Sequence, residues 1–336
     1  MRVLNYLELA ALLDRSGIGT ATRQQRTALA DAGVEVVTSP WSGGDPSTAL
    51  AGRVAGEPLF ERYDVAHCNL VGPGSVAVAR HARRRGVPLV LHAHVTREDF
   101  AESFRGSTAV APALGRYLRW FYSQADLVLC PSDYTRRTLE SYPVEAPIRP
   151  VTNGVDLGSL SGFESLRGPY RRRYDLEGTV VFAVGNVFER KGVSTFCRLA
   201  RETDDLEFAW FGPYDTGPQA SRTVRRQGLV VLEAMACGKP VVLRDIPVFR
   251  EFYADGEDCL LCSTRAEFRE AVERLADDPA ERERLGANAR ETAREHGLDR
   301  VGEELRDAYA EARRRASGDS DSGDSDSGVD AGVATD

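Results

Sequence analysis

Lysine is nearly absent from this 336-residue chain: Lys191 and Lys239 are the only two among 43 basic residues, and each stands beside a glycine. Long apolar runs are missing too. No stretch approaches the roughly 18 residues a membrane-crossing helix needs. Met1–Ala10 lacks a basic n-region and a cleavage site, so no secretory signal is expected and the location reads as cytoplasmic. A surplus of base is absent as well. The formal charge is −8, six aspartates of which fall after Ala316, so the body sits near −2 and a nucleic-acid partner is excluded. The six cysteines are scattered, and Cys259-Leu-Leu-Cys262 has no second C-x-x-C to complete a zinc site. On a strand its two thiols would face opposite ways. No G-x-G-x-x-G follows a strand with an acid about 20 residues on, which argues against a nicotinamide-dependent oxidoreductase.

What the chain does have is regular alternation. Strand signals at Val3–Leu9, Val34–Thr38, Asp64–Cys68, Val87–His92 and Asp126–Cys130 alternate with helix signals at Thr20–Ala32, Gly74–Arg85, Leu114–Ala125 and Tyr134–Ser141. Short, wholly apolar strands between helices describe a parallel, doubly wound sheet. The proline-rich Pro143–Pro150 breaks the rhythm, and 1–150 is expected to form one domain. The pattern restarts at Thr179–Gly185 and ends in a charged helix from Leu298 to about Arg315, giving a second domain over 151–316. Residues 317–336 are rich in Asp, Ser and Gly and too poor in apolar side chains to offset their ordering entropy, so a disordered acidic tail is expected.

Five short motifs carry chemistry. They are Ser16-Gly-Ile-Gly19, the pair His92 and His94 after a strand, Asn153-Gly-Val-Asp156, Gly185-Asn-Val-Phe-Glu-Arg-Lys-Gly192, and Gly228-Leu-Val-Val-Leu-Glu-Ala-Met-Ala-Cys-Gly-Lys-Pro240. Gly228, Leu229 and Val230 open a helix whose free N–H groups and positive dipole end suit a diphosphate. Glu233 lies one turn in, on the face that looks at that opening. A surface glutamate favoured by the helix dipole is the plainer alternative. Arg190 and Lys191 precede a helix start, where the dipole disfavours a solvated base and favours one that grips phosphate. Gly17 and Gly19 would let backbone approach a ligand closely, or merely make a tight turn. His94 falls at the carboxyl end of a parallel strand, where α/β folds bind ligands.

In this order and spacing the motifs resemble the family 4 glycosyltransferases of the GT-B fold, over nearly the whole chain before the tail. The resemblance implies two Rossmann-like doubly wound parallel-sheet domains and a nucleotide-sugar donor such as a UDP- or GDP-hexose. It also implies transfer with retention, no required metal, and a glycan or lipid-linked acceptor. By the same resemblance Glu233 accepts from the ribose hydroxyls, Lys191 and Arg190 grip the donor phosphates, and His94 faces sugar and acceptor. His94 and Glu233 are thus the catalytic candidates. Donor binding falls to Gly17, Gly19, Arg190, Lys191, Gly228, Leu229, Val230 and Glu233.

Three departures stand against full activity. The family's paired carboxylates, with seven residues between them, would place the first at residue 225, which is Arg225, a donor-only group. Asn186 replaces a second family base. Only fifteen residues, Pro213–Gln227, separate Gly212 from Gly228, leaving the second domain about two strands short. An internal deletion joining Arg226 to Gln227 is expected, of roughly one to one and a half β-α units. A degenerate, inactive transferase that binds sugar or a partner is therefore the alternative. Gly115-Arg-Tyr-Leu-Arg-Trp-Phe-Tyr122 interleaves arginines with aromatics, fitting either peripheral membrane contact or a core helix with snorkelling arginines.

Overall fold

A computed structural model describes residues 1–14, 16–38, 62–98, 107–185, 191–203, 205–212 and 229–318. The first half is one six-stranded parallel sheet. Its strands are β1 (Arg2–Tyr6), β2 (Glu35–Val37), β3 (Val65–Cys68), β4 (Leu89–His92), β5 (Leu127–Cys130) and β6 (Ile148–Pro150), in the order β2-β1-β3-β4-β5-β6. The central strands β3, β4 and β5 are buried at every position, as continuous apolar runs require when helices cover both faces. Parity splits their side chains between two cores. Ala66, Leu89, Leu91 and Val128 pack with Leu118 and Phe121, while Val65, Val90, Leu127 and Leu129 pack with Leu29, Leu305 and Tyr309.

The helices of this half are α1 (Ala10–Leu13), α2 (Gly17–Asp31), α3 (Pro73–Arg84), α4 (Ser107–Tyr122) and α5 (Asp133–Glu140). Strand β6 falls inside the proline-rich stretch that the sequence pattern treats as a break. It is a sheet edge, where Pro150 can do without the N–H that a central strand would need.

The second half comprises α6 (Arg167–Arg173), β7 (Val180–Val184), α7 (Val193–Glu202), β8 (Glu207–Phe211), α8 (Leu229–Ala236), β9 (Val242–Arg244), α9 (Pro247–Phe252), β10 (Leu260–Cys262), α10 (Arg265–Asp277), α11 (Pro279–Glu295) and α12 (Leu298–Ala316). Its described strands do not make one sheet. β7 pairs in parallel with β8, and β9 in parallel with β10, as two separate two-stranded sheets. No residue of β7 or β8 is fully buried, and Phe182, Val184 and Phe211 are exposed. Cys259 and Cys262 enter different cores, the opposite-face placement that strand parity predicts.

Among the described residues, α12 and α9 join the halves. Helix α12, within the segment expected to form the second domain, lies on the first sheet, where Gly302 admits the Ala28 carbonyl; an added Cβ would stand 2.3 Å from that oxygen. The Asn153–Asp156 motif latches to the start of α12 through Val155 N donating to the His296 carbonyl at 2.9 Å. Across the other side, the Glu251 carboxylate of α9 accepts from the Asp133 and Tyr134 amides at 2.5 and 2.6 Å, capping α5. Arg137 stands 3.4 Å from the same carboxylate.

Candidate functional site

The carboxyl ends of β1, β3 and β4 gather the polar residues of the first half. His92 ends β4 and His94 follows it, and their rings stack at 4.1 Å with 2° between planes. Two residues apart, the pair falls on one face of the strand line. His67 of β3 stacks on the other side of His92 at 5.6 Å, and its Nδ1 meets the Tyr309 hydroxyl of α12 at 2.7 Å. Burial holds both inner imidazoles below their ordinary range, His67 down to about 3 and His92 well below 6.5, so both are neutral. His94 is half-buried, with Nε2 3.3 Å from Asn69 Oδ1. Asn5, Gln25, Asn69 and Arg26 complete this cluster. Sequence reasoning missed all four. The signal available was positional: Asn69 directly follows β3, as His94 follows β4, and Asn5 interrupts an apolar strand.

Gly17 and Gly19 form the first turn of α2, where a turn preceding the helix had been one reading. Ser16 Oγ accepts from Gly19 N at 3.1 Å, so the glycines sit behind a conventional N-cap. A Cβ on Gly19 would stand 2.0 Å from the Leu13 carbonyl oxygen. Close packing of α1 on α2 is thus sufficient reason for that glycine.

In the second half, Lys191 follows β7 and its aliphatic stem lies over Gly185, whose carbonyl accepts from Trp210 Nε1 at 2.7 Å. Glu233 lies one turn into α8. It is half-buried, burial pushes its carboxyl pKa up, and no hydrogen bond or ion pair reaches its side chain among the described residues. Val230 is exposed at the same helix opening, and Leu229 begins the helix. Lys191 therefore belongs to the β7–β8 unit and Glu233 to the β9–β10 unit. Arg190, Asn186, Arg225, Gly228, the 226/227 junction and the tail beyond 318 lie outside the described residues. Among the described residues no group of three His, Cys, Asp or Glu side chains is placed to hold a metal ion.

Two α/β halves, with polar side chains collected at strand carboxyl ends, have the layout of the GT-B fold, and the structural neighbours below share it. A Glycosyltransferase Family 4 profile matches residues 40–159 and a Glycosyl transferase-like profile residues 196–307, together more than half the chain. The chain belongs to the family 4 glycosyltransferases. It is 28% identical to the processive diacylglycerol alpha-glucosyltransferase of Acholeplasma laidlawii, over 93% of this chain and 98% of that one. That match extends over 355 residues, so roughly forty of its positions have no counterpart in this chain. By fold it resembles the sucrose-phosphate synthase of Thermosynechococcus elongatus, with a TM-score of 0.73 and 16% identity over 92% of this chain and 98% of that one. It also resembles Anabaena HepE solved in complex with UDP, with a TM-score of 0.65 and 17% identity over 92% of this chain and all of that one.

Proposed function

We propose that the chain moves a hexose from a UDP- or GDP-linked donor to a lipid-linked or glycan acceptor, with retention and without a metal. The observation that carries this reading is Glu233. A half-buried carboxylate with a raised pKa and no partner among the described residues lacks the donors that normally stabilise its charge. Two ribose hydroxyls supply such donors. The N-terminal turn of α8 and Lys191 would then face the diphosphate, where negative charge builds as the sugar departs. His94 and its neighbours line the opposite half. The lipid-linked acceptor takes its support from the diacylglycerol transferase relative.

Calorimetric titration with UDP-glucose and GDP-sugars tests the donor assignment. Micromolar binding is expected, weakened about 10- to 100-fold by Glu233→Gln. A chain that binds neither nucleotide sugar overturns it.

A second reading, a degenerate transferase without turnover, draws support from one specific observation. β7–β8 and β9–β10 stand as separate sheets with apolar side chains left exposed, and the shortfall of roughly forty positions against the relative fits a lost segment. Product analysis of the same titrated samples separates the two readings.

Peripheral membrane contact through 115–122 belongs to the same proposal. On α4, Leu118, Phe121 and Tyr122 face the core while Arg116, Arg119 and Trp120 face outward. With Arg83 and Gln124 they line a cleft of about 430 Å³. It sits toward the amino-terminal edge of the sheet, opposite His94, so contact there would tether the protein and not present an acceptor. Flotation on anionic liposomes, abolished by reversing Arg116 and Arg119 to glutamate, is the expected result. No described helix is long and apolar enough to cross a membrane.

A further inference from the structure

The side chains around His94 close into a ring whose hydrogen-bond directions run outward from one donor-only group. It starts at Arg26 on α2, because a guanidinium only donates. Arg26 Nη2 donates to the Asn5 carbonyl at 2.9 Å and Nε donates to Asn5 Oδ1 at 3.1 Å. The oxygen of the Asn5 amide is thereby fixed toward Arg26, and its Nδ2 must donate to Gln25 Oε1 at 3.2 Å. Gln25 then has only its NH2 group left for His92, so Nε2 donates to His92 Nδ1 at 3.1 Å and the proton of His92 resides on Nε2. A second branch leaves the same Asn5 oxygen. It accepts from Asn69 Nδ2 at 3.3 Å, which turns the Asn69 oxygen to His94. An amide oxygen can only accept, so His94 donates to it from Nε2, at 3.3 Å. The stack of His92 on His94 closes the ring.

We infer that Arg26, acting through Asn5 and Asn69, is a positioning residue that keeps a proton on His94 Nε2. Asn5, Gln25, Asn69 and His92 are all buried, so water does not compete to reverse the amides. The placement of His94 at the sugar and acceptor rests on the proposed function. The proton on Nε2 does not, because it is fixed by the ring before any ligand arrives.

Long-range 1H–15N correlation spectra of the full chain, labelled at histidine, read the tautomer without turnover. The wild type is expected to show His92 and His94 both as Nε2–H. Arg26→Met removes the donor-only root, and the His94 nitrogens should shift toward a mixed tautomer. Arg26→Lys keeps a donor-only group and should retain the wild-type pattern. Asn69→Leu, at the far end of the ring from Arg26, should release His94 while leaving His92 unchanged, and it serves if Arg26→Met does not fold. A wild-type His94 protonated at Nδ1 alone, or a His94 pattern unmoved in Asn69→Leu, overturns the inference. An Nε2–H pattern in a protein that binds no nucleotide sugar upholds the ring and defeats only the proposed function.

Discussion

A buried histidine kept neutral is a pH liability. His67 titrates near 3 in the folded chain against about 6.5 when exposed, and His92 is displaced the same way, both chiefly by burial. Below pH about 6.5 the unfolded chain therefore binds protons that the folded chain refuses. The sign follows: stability from these two groups is complete above pH about 6.5 and is lost as pH falls toward the folded values. Each contributes a slope of about 1.4 kcal/mol per pH unit while the difference is a full proton. Urea midpoints should thus fall between pH 6.5 and 5, before most carboxylates titrate. His67→Gln should reduce that slope by about one proton even if it lowers stability overall. A slope identical to wild type would show that His67 takes up its proton without unfolding.

At the scale of elements, two contacts beside the α12 core are open to test by single substitutions. Glu251 satisfies two amide donors at the start of α5 from a helix more than a hundred residues away in sequence. Glu251→Ala should cost about 1–2 kcal/mol, typical of losing a charged helix cap, and lower the urea midpoint accordingly. Gly154 holds φ +73° with Val301 and Leu298 where a Cβ would sit, at 2.7 and 3.0 Å. Gly154→Ala should therefore destabilise by about 1–3 kcal/mol, through left-handed backbone strain and crowding of α12 together.

These joints also mark the limit of what the sequence discloses. The apolar runs of β3 to β5 are local, and their positions are legible to within a residue or two. So are His94 and Lys191 as candidates, each beside an element end, and Glu233, one turn into α8. Asn5, Gln25, Arg26 and Asn69 converge only through the sheet order, which places β1 between β2 and β3 and lays α2 across them. Glu251 and Tyr309 reach across the halves from elements that look like ordinary solvated helices. No periodicity encodes such meetings.

For the whole molecule, the question is what two isolated two-stranded sheets can sustain. A lone strand pair is marginal in water, and parallel strands in particular depend on covered faces. β7 and β8 have neither a third strand among the described residues nor a fully buried side chain. The first sheet has six strands and two cores. The two halves should therefore differ in local stability, because opening a segment costs what its buried contacts are worth. Amides of β7 and β8 should exchange with solvent orders of magnitude faster than those of β3 to β5 in native-state hydrogen exchange. If the cause is a lost segment, restoring it should reverse the difference. Inserting roughly 40 residues, the corresponding β-α units of the Acholeplasma relative, between Arg226 and Gln227 should slow exchange in β7 and β8 together with β9. It should also raise affinity for a sugar nucleotide, because the inserted strands would join the Lys191 and Glu233 units into one sheet. If β7 and β8 are already as protected as β3 to β5 in the unaltered chain, the second half is a complete, compact variant.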